Sequence, residues 1–135
     1  SMFLGEQNSK ILQKKTLIQV FKNTVKNYQS KIALSFNGNS ITYGELDLKS
    51  SGFAQYLKQN NIGKGTIIGL YLPRGIEMFI AHLGILKAGA TYIPFDIETP
   101  KERVVDILKE SLSNFCITKE FIDGSIQTIS ITTNY

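Results

Sequence analysis

An alternation constrains this chain more than any other feature. After residue 42, stretches with helical spacing of apolar residues give way, again and again, to short β-like runs. The clearest run is Thr66-Ile67-Ile68-Gly69-Leu70-Tyr71-Leu72, apolar at nearly every position. A strand reads this way when both its faces are covered, as in a parallel sheet. Helices between such strands imply right-handed βαβ crossovers. The expected fold class is therefore α/β, a mainly parallel sheet flanked by helices.

Individual elements follow from local chemistry. Leu17, Phe21, Val25 and Tyr28 recur on one helix face, with Thr16 as the expected N-cap. Ser1-Met2 reads as a protease-cleavage scar before an initiator Met, and residues 3–15 as a polar arm. Residues 1–15 are thus set apart from an α/β subdomain over residues 16–135. Ile32–Phe36 and Ile41–Tyr43 flank Asn37-Gly38-Asn39, which is a hairpin signal. Thr42 and Glu45 have the spacing of a capping box. The helix they open carries Leu46, Phe53 and Leu57 on one face and stops at Asn60-Asn61 and Gly63. Ile76, Phe79, Ile80, Leu83 and Leu86 form the next stripe, so Leu83→Asp is expected to unfold the domain. Ala88-Gly89 ends that helix, and Pro94 ends the strand begun by Thr91-Tyr92-Ile93. Pro100 opens a further helix, with Val104, Leu108 and Leu112 inward. Phe115–Thr118 and Thr128–Ile131 read as the last strands.

Composition bounds the function. A single Cys among 135 residues excludes an internal disulfide framework and a cysteine-only zinc site. No apolar run approaches the ~20 residues of a membrane span, and no signal peptide opens the chain. The expected compartment is a reducing cytoplasm, with no membrane partner. The net charge of +4 is local. Residues 1–35 hold six Lys against Glu6 alone, whereas residues 36–135 set nine basic side chains against ten acidic. The excess reads as a solvated helix face, and no nucleic-acid partner is expected.

No complete active site emerges from residue types and spacing. Gly63-Lys64-Gly65-Thr66 lacks the upstream Gly of a phosphate loop and precedes a strand, where such a loop follows one. His82, the one imidazole, has no second His or Cys at ligand spacing and reads as a packing or surface residue. Cys116 lies inside an apolar strand and reads as a small buried hydrophobe. Asp96 and Glu98 read as solvated or capping groups on a loop. No catalytic, cofactor-binding or metal-ligating residue is assigned.

Taken in order, the phrases resemble the N-terminal part of an amino-acid adenylation domain, the activating module of nonribosomal peptide synthetases in the adenylate-forming, AMP-binding superfamily. Ile41-Thr42-Tyr43-Gly44-Glu45-Leu46 is similar to its first core motif, L-T/S-Y-x-E-L. Leu86-Lys87-Ala88-Gly89-Ala90-Thr91-Tyr92-Ile93-Pro94-Phe95-Asp96 is similar to its second, L-K-A-G-x-A-Y-V-P-x-D. Residues 61–70 resemble the turn and strand between them, and Pro100–Ser111 the helix that follows. Thr66, Thr91 and Glu110 stand where the family has Asp, Ala and Asp. D-alanine-activating ligases share the second motif loosely.

The resemblance implies a partial N-terminal subdomain of a ligase. The parent would bind Mg-ATP and an amino acid, form the aminoacyl adenylate with loss of pyrophosphate, and pass it to a phosphopantetheine carrier. Its partners would be the rest of the adenylation domain and a carrier-protein domain. Nothing in residues 97–135 resembles the family's Ser/Thr/Gly-rich phosphate loop, and the late catalytic Lys is missing. The expected reading is a fragment inactive alone that binds no cofactor itself and self-associates. A stand-alone remnant acting as an interaction module, a fragment of a D-alanine-activating ligase and a flavodoxin-like nucleotide binder are the alternatives.

Overall fold

The computed structural model describes residues 2–131, with side chains from residue 15 onward. Ser1, read as part of a cleavage scar, and the last four residues of the assigned subdomain lie outside the described residues. In chain order the elements are α1 (Met2–Tyr28), β1 (Ile32–Phe36), β2 (Asn39–Thr42), α2 (Tyr43–Gln59), β3 (Ile67–Tyr71), α3 (Ile76–Ala88), β4 (Thr91–Pro94), α4 (Lys101–Glu110), β5 (Phe115–Thr118) and β6 (Gln127–Ile129).

β3 is the centre of the molecule. It pairs in parallel with β4 on one side and β5 on the other, and β6 extends the sheet in parallel from β5. The resulting order is β4-β3-β5-β6. The chain leaves β3 toward β4 and then returns past it to β5, so α3 and α4 lie on opposite faces. Ile68 and Leu70 join the core formed with Phe53, Leu57, Ile80 and Ile85. Tyr71 and Cys116 join a second core with Val104, Val105 and Leu108 of α4. This is the parallel sheet covered on both faces that the run at 66–72 predicts.

Local devices set the joints. β1 and β2 form a separate antiparallel hairpin. Its turn uses Asn37 and Gly38 at φ of 49° and 81°, the left-handed pair that a two-residue hairpin needs. The capping box is present: the Glu45 N–H donates to Thr42 Oγ1 and the Thr42 N–H to Glu45 Oε1, each at 3.1 Å. Hydrogen bonding from the Thr42 backbone N–H, with a smaller share from the Thr42 side chain, holds the Glu45 carboxyl below the usual carboxylate range.

Four expectations are corrected. α1 runs continuously from Met2, so Thr16 is an interior residue and not its cap. Of its proposed stripe, Val25 is buried and Phe21 half-buried, while Leu17 and Tyr28 are mostly exposed. In α4 the stripe ends early. Leu112 is 89% exposed, lying past the helix in a left-handed conformation (φ 57°). The Ser113 N–H donates back to Leu108 O at 2.8 Å, so Leu112 serves as the turn residue that closes the helix. β6 also covers Gln127–Ile129, one residue earlier than expected, with Ser130 and Ile131 beyond it.

The fourth correction concerns α3. Its fully buried face is Ile80, Ala81, Gly84, Ile85 and Ala88, rotated from the large-residue stripe. Leu83 and Leu86 are half-buried, and Phe79 is exposed at 40%. Small residues face inward because α2 approaches closely. A Cβ on Gly84 would lie 2.7 Å from Phe53 Cδ2 and 3.3 Å from Ser50 O. Gly84→Ala should therefore destabilise the domain by about 1–3 kcal/mol despite its better helix propensity, read as a lower urea midpoint. Ile85→Asp should unfold it, by placing a charge at a fully buried site. Leu83→Asp should leave a folded domain with a lower melting temperature; equal losses in the two variants would refute this helix face.

Candidate functional site

In an open α/β sheet, ligands bind beyond the carboxyl ends of the strands where strand order reverses. Here that place lies between β3 and β5. A cleft of about 290 Å³ opens there, lined by Tyr71, Pro73, Ile97, Lys101, Thr118 and Glu120 among others. The β4–α4 connection closes over one side. The Tyr71 hydroxyl donates to Thr99 O at 2.5 Å and lies 3.4 Å from Ile97 O. Asp96 is spent on this loop, with its Oδ1 accepting from the Glu98 N–H at 2.8 Å. Asp96 and Glu98 therefore form an Asx turn and not a paired acid and base.

The charges at this edge neutralise one another. Lys101 Nζ lies 2.7 Å from Glu120 Oε2, and Lys119 Nζ lies 3.7 Å from Glu77 Oε1. The first pair holds Lys101 above its ordinary value and Glu120 below its own, through their mutual hydrogen bond. No Gly-rich run frames the cleft. Among the described residues no group of three metal-ligating side chains occurs. The side chains here do not fit Mg-ATP: they offer no backbone cradle for phosphates and no carboxylate cluster for a divalent cation.

The other singled-out residues lie elsewhere in the fold. Gly63-Lys64-Gly65-Thr66 is a closed turn, with the Thr66 N–H donating to Gly63 O at 3.0 Å and the Gly63 N–H to Thr66 Oγ1 at 3.1 Å. Cys116 is fully buried, and burial pushes its thiol up to about 12, far from a reactive thiolate. His82 is half-buried on α3, its Nε2 3.3 Å from the Tyr92 hydroxyl and its ring 5.0 Å from that ring. It lines an apolar groove of about 430 Å³ between α1 and α3, with Leu17, Val20, Phe21, Phe79 and Leu86.

Sequence reasoning missed one residue that organises this region. Lys87, at the end of α3, is only 12% exposed. Its Nζ reaches Asp47 Oδ1 at 2.7 Å, Ser50 Oγ at 2.8 Å, Ser51 Oγ at 2.9 Å and Asp47 O at 3.1 Å. It also sits 5.3 Å from the Phe21 ring centroid. One ammonium thus ties α3 to α2 and α1. The signal in the sequence was the Lys of the second motif, but its partners lie some 40 residues away and carry no local pattern.

Burial pushes the His82 imidazole below its ordinary value of 6.5, because the fold favours the neutral form. Its contribution to stability is then full above pH 6.5 and is lost as pH falls below that toward the lower folded value. Melting temperature should drop between pH 7 and pH 5, and His82→Phe should flatten that part of the profile. An unchanged profile in the variant would assign the drop to other groups.

With this geometry established, comparison with known proteins places the chain. Residues 21–133 match the family described as AMP-binding enzyme. Gramicidin S synthase 1 of Brevibacillus brevis is 35% identical over 115 residues, which is 85% of this chain and 10% of that protein. Delta-poly-L-ornithine synthetase of Acinetobacter baumannii is 34% identical over 116 residues, 86% of this chain and 9% of that protein. The chain therefore spans a tenth or less of these relatives. Among solved structures, the N-terminal subdomain of Klebsiella oxytoca NpsA in complex with 3-hydroxybenzoyl-AMSN superposes with a TM-score of 0.76 at 25% identity. That match covers 84% of this chain and 29% of the other. An artificially fused adenylation–PCP di-domain, NpsA-ThdA from the same organism, gives 0.77 at 25% identity over 84% of this chain and 22% of its own.

Proposed function

This chain belongs to the AMP-binding enzyme family, and we propose that it forms the N-terminal part of an ATP-dependent amino-acid-activating ligase of the nonribosomal peptide type. The observation that carries this is the second motif as a working structural unit. Lys87 fastens three helices, Gly89 closes α3 in a left-handed conformation (φ 81°), and Tyr92 to Pro94 run along β4. Relatives named for making gramicidin S and poly-ornithine support the same class of chemistry.

The share of this segment in the reaction is architectural. The parent would join an amino-acid carboxylate to AMP with loss of pyrophosphate and hand the product to a carrier-borne thiol. The cleft described above lacks the groups to hold Mg-ATP, so phosphate binding and transition-state stabilisation fall to other segments. This segment supplies a rigid parallel sheet whose carboxyl edge those segments complete.

Titration calorimetry of this chain with Mg-ATP up to millimolar concentration should show no saturable binding, and ATP–pyrophosphate exchange should stay at background. Saturable binding would overturn the assignment and favour an independent nucleotide binder. Sequencing the source gene past the Tyr135 codon gives a second check. A frame that continues into a Ser/Thr/Gly-rich loop supports the ligase reading. An immediate stop codon would favour an interaction module.

A further inference from the structure

The connection from β5 to β6 is unusual for its place. Neighbouring parallel strands are ordinarily joined by a crossover of about a dozen residues or more, most often a helix. Here residues 119–126 make the return without one. They run back along α4. Glu120 Oε2 lies 2.7 Å from Lys101 Nζ at the start of that helix, and Asp123 Oδ2 lies 3.9 Å from Lys109 Nζ in its last turn. Lys119 Nζ lies 3.7 Å from Glu77 Oε1 in the first turn of α3. Charge thus pins this short connection to both helices that flank the sheet.

Burial holds the two ends of the connection unequally. Ile126 is fully buried in the second core, whereas Ile122 is half-buried against it and Phe121 is 71% exposed. Asp123 accepts from the Ser125 N–H at 2.9 Å and from the Ser125 hydroxyl, making the turn that leads into β6. Exposed ion pairs are weak singly and weaker still in salt. A segment held mainly by such pairs opens locally far more easily than the strands beside it. The geometry points to residues 119–123 as a strap that opens and closes over the β3–β5 cleft, latched by Lys119–Glu77 and Glu120–Lys101 and hinged at the Asp123–Ser125 turn. Thr118, Lys119 and Glu120 form one wall of that cleft, so lifting the strap widens it. Ile126 keeps β6 in place while the strap lifts. The inference goes beyond the ligase reading, because it concerns access to the cleft whatever enters it.

Hydrogen exchange read by mass spectrometry tests the latch. Raising sodium chloride from about 0.02 M to about 0.5 M should speed exchange at residues 119–123 roughly three- to tenfold, while β5 and α4 keep their rates. Glu120→Gln should exchange at the faster rate even at low salt. Glu120→Lys should open the strap as well, and adding Lys101→Glu should close it again by restoring the pair with its signs exchanged. Thr118→Cys reports on the cleft, since residue 118 is only 3% exposed and lies in its wall. Its labelling by a maleimide should rise with salt in step with exchange, above the background of the buried Cys116 in the parent. Salt-independent exchange would overturn the inference, as would β5 and α4 loosening together with the strap or a charge exchange that fails to restore closure. Labelling that does not follow exchange would overturn the link to the cleft. None of these results bears on Mg-ATP binding, so this inference and the functional reading can fail separately.

Discussion

Burial of β3 on both faces is the constraint on which the rest of the structure depends. A strand in that position can present no unpartnered polar group to either helix layer, so its side chains are apolar, missing as at Gly69, or, as in Tyr71, hydrogen-bonded at the tip. Gly69 shows how tight the fit is. A Cβ there would meet Cys116 Sγ and Leu108 Cδ2, each at 3.0 Å. The missing side chain lets α4 settle against the strand, while Ile68 and Leu70 fill the opposite core. Each face then demands a helix, and the only connections that supply one to each face are crossovers in opposite directions along the sheet. Strand order and the position of the carboxyl-edge cleft follow from that single requirement.

The α2–α3 contact solves the next problem, which is how to anchor one of those helices. Two helices packed this closely cannot fill the gap with large side chains. The contact sets Gly84 against Phe53 and Ser50, with Ala81 and Ala88 as small buried neighbours on the same helix. Such a surface buries little apolar area per residue, and Lys87 compensates at its end. Its ammonium is nearly desolvated, so it stabilises only because four oxygens and an aromatic face surround it. An unpaired charge there would cost several kcal/mol, which makes the arrangement demanding of geometry as well as of residue type.

Legibility in the sequence divided along this line between local and distant causes. The hairpin turn, the capping box and the covered central strand are set by neighbours a few residues apart, and each was readable from Asn37-Gly38, Thr42/Glu45 and Ile67–Tyr71. The buried face of α3 was not. Periodicity ranks residues by size and apolarity, and it chose Phe79 and Leu83 over Gly84, whose role exists only through Phe53. Leu112 misled for a related reason: spacing by four extends a stripe past the point where a left-handed turn ends the helix. Lys87 was visible only as a letter in a motif, since Asp47 and Ser50 identify themselves as its partners only after the helices have packed.

The same distinction accounts for the groups at the carboxyl edge. The fold puts the reversal of strand order between β3 and β5, where a ligand site would form, and then spends the available groups on closing it. Tyr71 reaches across to Thr99, Asp96 turns its own loop, and Lys101 and Lys119 are matched by Glu120 and Glu77. A site for a triphosphate needs donors left unsatisfied by the protein, converging on one point and carrying net positive charge. Here Tyr71, Asp96, Lys101 and Lys119 at the β3–β5 reversal already have partners within this segment. On the functional reading proposed above, the segment would offer a surface of fixed shape, held by two cores and the mostly buried Lys87 ammonium, against which donors from other segments would be positioned.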